Sequence, residues 1–530
     1  MHSRWNSVWT RGLGGRLLCA VLAAPLALTG CVGRESLYRA VRARRSLAYQ
    51  EWRRGRERPA EHEPTVKGKL SLQDAIKLAL VHSKPLQAAV VGKEIARGRI
   101  VESYSEALPK VSLLGSYGRS DRVGGFHVGG QSVSIGELDN YSADLVIRQP
   151  LFRGGAIGAA IRAAELFAAM TDEAVRGQVQ QTIHEVATVY YDLLLARRLF
   201  EANEQAVASA EAQLRDVQGK QREGTASKYD VLRAEVDVSN FRAEMIRQRN
   251  AIHLARTRLL KAMGVSQDSR VTCSDALAYH PIKPVLEEAV RIASKNRPDL
   301  YQAELSVRLQ HQAVRLAESR YFPQVDATFN YGWMRPDPHA ATLDRWDDRW
   351  TAGVTVEIPL FDGLKREGRL IQEKAALRRS KIRLRDTEER ALLEIQQSLL
   401  SLRDAEELVD SQRLNLKRAS EGLRLAGVNY REGISTVVEV TDARSALTRA
   451  RSLHYQAIYA HTLARLALQR SMGILGPRAP GAAPGRFRVR PGRIDEFEPA
   501  DRKGDKGPSS RPSTRPAASQ PARGKENRNR

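Results

Sequence analysis

A chain of 530 residues with 42% hydrophobic and only 6% aromatic content is long enough for several domains but poor in the residues that fill a thick globular core. Its net charge of +24 would suit a nucleic-acid binder, yet residues 1–30 carry three Arg and no acid, 32–69 eleven basic and five acidic groups, and 477–530 fourteen and six. The excess is a property of the ends, which argues against nucleic acid as a partner, and three cysteines make neither a disulfide framework nor a metal site.

The N-terminus reads as an export signal. Arg4, Arg11 and Arg16 precede a short apolar run, Leu17 to Leu28, which Pro25 interrupts and which is too short to span a bilayer. The run ends in Leu28-Thr29-Gly30-Cys31. This resembles the bacterial lipobox, in which small residues precede a cysteine that becomes the lipidated N-terminus. Residues 1–30 are therefore expected to be a lipoprotein signal peptide and Cys31 the lipidation site. Val32, where an Asp would retain a Gram-negative lipoprotein in the inner membrane, implies sorting to the outer membrane. No other run of 18 or more apolar residues exists, so no transmembrane helix is expected. Residues 31–69 read as a lipidated tether, Arg-rich, with at most one short helix.

From residue 70 the same parts come twice, in 70–264 and in 285–476, with 265–284 as a linker. Each half opens on a short helix, Ser71 to His82 and Val285 to Lys295, with apolar residues at helical spacing. Pro85 and Pro298 sit where a second helix begins, and Pro109 and Pro323 stop it. The period then changes to two. Val111, Leu113 and Tyr117, then Tyr141, Leu145 and Ile147, alternate with mostly polar neighbours. So do Val325, Phe329, Tyr331 and Trp333, then Ala352, Val354, Val356 and Ile358. Four strands of about ten residues follow, the length of a tilted transmembrane strand, joined in pairs by polar loops near 121–140 and 335–349.

Each second strand ends at Pro-Leu-Phe and a glycine turn, and a long helix follows. An offset of 209 residues superposes Pro150-Leu151-Phe152 on Pro359-Leu360-Phe361, Arg222-Glu223-Gly224 on Arg431-Glu432-Gly433, and Met263-Gly264 on Met472-Gly473. That is internal duplication. Each long helix should hold about 68 residues, roughly 100 Å. The return helix of about 38 cannot match it alone. With the helix of about 24 before the strands it can, so each half should place one long helix beside two shorter ones on a common axis. The tail 477–530, basic and rich in Pro and Gly, is expected to be disordered.

This combination over residues 70–475 resembles the TolC-type outer membrane efflux family. The resemblance implies a mainly α fold with a transmembrane β part. Internally duplicated long helical hairpins would form a trimeric α-barrel, and four strands per subunit would complete a 12-stranded β-barrel. Physics asks for the same oligomer, because four strands cannot close a barrel and open edges cannot face lipid. The implied function is a passive outer membrane exit duct of a tripartite efflux system, lipid-anchored, with a long periplasmic extension. Its partners would be two further copies of itself, a periplasmic adaptor (membrane fusion protein), an inner membrane transporter and outer membrane lipid. The outlet of a type I protein secretion system is the alternative, since the duct is the same.

Enzyme chemistry is not expected. There is no Walker loop, no nucleophile elbow and no metal-ligand spacing, so neither cofactor nor metal is assigned. Candidate sites lie at the hairpin tips. The resemblance makes Glu439 and Asp442 a ring of acids around the closed periplasmic aperture, with Glu at 439 where the family carries Asp. Asp230 matches a position in the bond network that holds the aperture shut. The tips Arg222, Glu223, Gly224 and Arg431, Glu432, Gly433 match the adaptor contact.

Overall fold

The duplication governs the backbone in detail. The computed structural model describes residues 34–57, 64–128, 131–135, 137–339 and 343–476, all within one unit of the chain. The signal segment, Cys31 and the tail 477–530 lie outside the described residues.

The first half builds α2 (Leu72–His82), α3 (Lys84–Ser105), β2 (Lys110–Arg119), β5 (Asp139–Arg153), α4 (Ala156–Arg222) and α5 (Lys228–Met263). Before and between them come α1 (Arg34–Glu57), β1 (Lys67–Leu70) and the hairpin strands β3 (Gly124–Val128) and β4 (Gln131–Ile135). The join is β6 (Arg270–Cys273), and the second half repeats the plan as α6 (Leu286–Asn296), α7 (Pro298–Glu318), β7 (Gln324–Arg335), β8 (Asp347–Glu357), α8 (Lys365–Arg431) and α9 (Val437–Ser471).

The two long helices hold 67 residues each and start and stop 209 positions apart. Left-handed backbone recurs at the same offset: Gly154 and Gly363, Gly155 and Leu364, Gly224 and Gly433, Gly264 and Gly473. Three of these glycines are also demanded by space, Gly154 because a Cβ there would lie 2.4 Å from the Ser319 carbonyl oxygen. A Cβ on Gly264 would lie 2.2 Å from the His82 carbonyl oxygen, and one on Gly473 2.8 Å from the Arg297 nitrogen. In both halves the end of the return helix is thus pressed against the junction of the two short helices.

The elements stand in a row. β2, β5, β7 and β8 form one antiparallel sheet in that order. Below it α3 packs on α4, α4 on α7 and α7 on α8, and lower still α5 packs on α4, α4 on α9 and α9 on α8. Each strand continues into the helix beneath it. The subunit is four columns wide at every level, and α3 with α5 and α7 with α9 share a column beside the long helices, as the length argument requires.

Register explains the sheet faces. Leu113 opposes Leu145, which opposes Tyr331, which opposes Trp350. One step away, Leu114 opposes Asp144, Asp144 opposes Gly332, and Gly332 opposes Arg349. One face is therefore apolar and aromatic and the other mostly polar. Tyr117 packs tilted against Tyr141 (5.0 Å between centroids) and Tyr331 edge-to-face with Trp333 (4.6 Å), toward the outer end of the strands. No helix among the described residues is long and apolar enough to cross a membrane.

Three features depart from the sequence reading. The tether contains a helix of 24 residues, α1, rather than a short one. The tether and the linker pair as parallel strands, β1 with β6, because each runs only four residues and shows too little alternation to read. That small sheet is pinned to α4: the Tyr190 hydroxyl donates to the Leu70 carbonyl (2.9 Å), and Arg197 donates to the Cys273 carbonyl (3.1 Å). Burial pushes the Cys273 thiol up to about 11, so this cysteine is an inert packing group. The loop 121–140 holds the β3–β4 hairpin.

Candidate functional site

The tips are two copies of one turn. α4 ends through Glu223 and the left-handed Gly224, and the Thr225 amide donates back to the Lys220 carbonyl at 2.8 Å. α8 ends through Glu432 and Gly433, and the Ile434 amide donates to Asn429 at 2.8 Å. Both follow the usual glycine termination, in which a left-handed residue lets the next amides satisfy the last carbonyls. Arg222, Glu223, Gly224, Arg431, Glu432 and Gly433 are all exposed. A small core sits just above them, with Val217, Val231 and Val437 buried together against Leu214, Ala226 and Tyr430. The Lys220 ammonium lies 3.8 Å over the Tyr430 ring and ties the ends of α4 and α8 together.

Asp230 and Glu439 prove to have a local task. Asp230 is the third residue of α5. Its carboxylate accepts from the Ser227 amide at 3.0 Å and the Ser227 hydroxyl at 2.6 Å, while the Asp230 amide donates to the Ser227 hydroxyl oxygen at 3.2 Å. Glu439 makes the same box with Thr436 in α9, more loosely, at 3.3 to 3.4 Å. Both are capping boxes. The hydrogen bonds from Ser227 hold the Asp230 carboxyl below the usual carboxylate range. The signal was present in the sequence as Ser-x-x-Asp and Thr-x-x-Glu directly after each tip. The sequence reading instead set Asp230 in a bond network between hairpins and Glu439 in a ring of acids.

The tie between hairpins at this level joins Asp442 to Arg233, a residue that the sequence reading missed. Arg233 reaches Asp442 at 3.8 Å. These two positions are equivalents at the 209-residue offset, and they carry opposite charge. Higher up, the buried Arg444 of α9 donates to Ser209 of α4 at 2.9 Å, and Arg451 donates to Gln205 at 2.9 Å. Asp442 itself is largely exposed, at 71%, and Glu439 is exposed one turn before it. At 3.8 Å, with Asp442 largely open to screening water, the pair is a weak one. Asp230, Glu439 and Asp442 thus share one level, with Asp442 largely exposed beside Arg233 and the other two engaged in their own helix starts.

Among the described residues one group has the atoms for a metal: Asp337, His339 and Asp347, in the β7–β8 connection. Arg345 is already there, 2.9 Å from Asp337 and 3.9 Å from Asp347. The guanidinium supplies the positive charge, and the group ties a loop.

Residues 75–265 and 289–474 match the family described as outer membrane efflux protein. The chain is similar to protein CyaE of Bordetella pertussis, 26% identical over 480 residues that span 87% of this chain and 96% of the relative. It is also similar to the probable efflux pump outer membrane protein TtgC of Pseudomonas putida, 22% identical over 397 residues, 75% of this chain and 80% of the relative. Among solved structures, outer membrane protein VceC of Vibrio cholerae superposes with a TM-score of 0.65 at 20% identity, covering 76% of this chain and 96% of that one. CusC superposes with a TM-score of 0.65 at 18% identity, covering 76% and 92%. At those identities the structures speak for the fold.

Proposed function

The chain belongs to the outer membrane efflux protein family, and on that premise we propose that three copies form the exit duct of a tripartite efflux system in the outer membrane. The carrying observation is that the row of four columns ends in two apolar edges. On α8, Ile371, Ile382, Leu393, Leu400, Leu414 and Leu425 are all about half exposed or more. At 100° per residue they fall in one sector about 60° wide. On the opposite edge, α5 exposes Leu232, Val236, Ile246 and Leu254, and α3 exposes Val91, Ile95 and Val101. The sheet is open at the same two sides, along β2 and β8. A stripe of that length left in water marks an interface. Joining edge to edge around a three-fold axis covers both seams and closes twelve strands over twelve helical columns. The polar sheet face then lines a lumen and the aromatic face meets lipid.

The duct carries no engine. On this reading transport energy comes from an inner membrane transporter, with a periplasmic adaptor on the exposed tips Arg222–Gly224 and Arg431–Gly433. Cys31 is the lipid attachment point. At the mouth, Asp442 and Glu439 from three subunits place six carboxylates around the opening and favour cations. Asp442 supplies the stronger field, because the Glu439 carboxylate is turned back to Thr436. Replacing both by Ala should reduce cation selectivity and block by multivalent cations in a planar bilayer, with Asp442→Ala doing most of it. Unchanged selectivity in the double variant would place the constriction elsewhere.

A further inference from the structure

α1 has no role in the duct so far. It holds eight Arg, three Glu and no Lys in 24 residues. Every described side chain along it, from Tyr38 to Arg54, is exposed. Among the described residues no ion pair engages Arg39, Arg42, Arg44, Arg45, Arg53 or Arg54. A helix normally draws its stability from a buried apolar face, and none of the described side chains of this one is buried against its own subunit. Arg39 with Arg42, and Arg42 with Arg45, are like charges three apart, which destabilises a helix in water.

The distribution of residues says what would stabilise it. Tyr38, Val41 and Tyr49 are 53%, 54% and 60% exposed. At 100° per residue these three share a sector of about 80°, while Leu47, 57% exposed, lies on the opposite face. Arg42 and Arg53 flank one side and Arg44 the other. Arg45 falls inside the sector, where its stem can lie on apolar surface while the guanidinium reaches outward. Aromatic residues in a frame of arginines are the pattern of a helix lying in a membrane interface. Use of Arg alone favours phosphate, whose oxygens match the guanidinium fork.

Position permits it. α1 starts three residues after Cys31. Ten steps of chain separate Glu57 from Lys67 in β1, a reach of roughly 33–36 Å. α3, which leads from the β1 region to the strands, has 22 residues, or roughly 33 Å. The chain can therefore carry α1 to the level where the strands enter the bilayer.

We propose that α1 is a membrane-surface helix that binds the phosphodiester headgroups of anionic phospholipid on the periplasmic leaflet of the outer membrane. The inference rests on the outer membrane reading above. It gives the subunit a second, non-covalent hold on the bilayer outside the barrel wall.

A benzophenone amino acid placed at Val41 of the full chain in cells tests it, with photoadducts identified by mass spectrometry and the oligomer followed in parallel by gel mobility with and without heating. The expected product is a phospholipid adduct that falls by more than ~tenfold in the Arg39→Gln, Arg42→Gln, Arg45→Gln variant, at roughly fivefold per arginine. An intact trimer giving an adduct to protein or peptidoglycan, no adduct, or a lipid adduct indifferent to the arginines would overturn the inference and leave the duct standing. A chain that forms no trimer would overturn both.

Discussion

α4 and α8 are the same helix twice, yet α4 buries nineteen side chains and α8 only six. They share length, register, entry turn and exit turn. The return helices show the reverse order, with fourteen buried in α9 and seven in α5. The difference follows from place in the row. α4 and α9 stand inside, and α5 and α8 stand at the ends. What a copy buries is thus set by its neighbours, and the copies at the ends carry the unsatisfied apolar surface. Duplication supplied four columns, and the unequal burial of the copies marks where the next subunit goes.

The strongest way to break that comparison is to charge the outer stripe. Leu400→Asp should abolish the trimer, because each of three seams would bury a carboxylate without a partner. Gel mobility without heating, or native mass spectrometry, reads this directly. A trimer that persists would mean that the α8 stripe faces solvent.

A second test separates the junctions of the short helices from the tips. Gly264→Ala and Gly473→Ala force a Cβ against backbone at 2.2 and 2.8 Å, and each should cost at least ~3 kcal/mol, the upper range for a single substitution. Gly224→Ala and Gly433→Ala meet nothing within 4 Å and should cost only the left-handed backbone term of about 1–2 kcal/mol. Urea titration of protease resistance ranks the four. Equal losses in all four would refute the close approach of the return helices to the short-helix junctions.

A third concerns the one pair of turns in which the copies differ. Gly155 has φ of 84° and its equivalent Leu364 has φ of 67°. Gly155→Ala should lose about 1 kcal/mol, whereas Leu364→Gly should gain less than that, since glycine's freedom in the unfolded chain offsets part of the relief. A loss on Leu364→Gly would show that its side chain packs in the trimer.

The smallest expected effect is at the caps. Asp230 has a folded-state pKa below its ordinary 3.8. Its contribution is therefore present above about that value and is lost as pH falls through the lower, folded value. Asp230→Asn should lower the thermal midpoint slightly at neutral pH, and the gap to the parent should close in strong acid. A gap that stayed constant with pH would mean that the carboxylate adds nothing to the first cap.

Much of this was legible in the sequence because duplication is a pattern that survives without contacts. One offset placed both long helices, and changes of period from 3.6 to 2 at Pro109 and Pro323 placed the four strands. The β1–β6 pair was not legible, since its strands are four residues long and pair across some two hundred positions. Of the tip acids, charge was legible, and so were the caps, as Ser-x-x-Asp and Thr-x-x-Glu; only the backbone shows that the Asp230 box is closed tightly and the Glu439 box loosely. The Arg233–Asp442 pair had one available clue, opposite charges at equivalent positions, and its meaning depends on which columns stand side by side.

The central claim is that the two open edges of one subunit meet those of its neighbours at every level. Electron cryomicroscopy of the purified full chain in lipid nanodiscs tests it most directly. The account predicts a three-fold particle in which β2 of each copy pairs with β8 of the next, over twelve helical columns with the α8 stripe buried in each seam. A closed particle with another number of copies, or one in which β2 and β8 of neighbours stay apart, would contradict it.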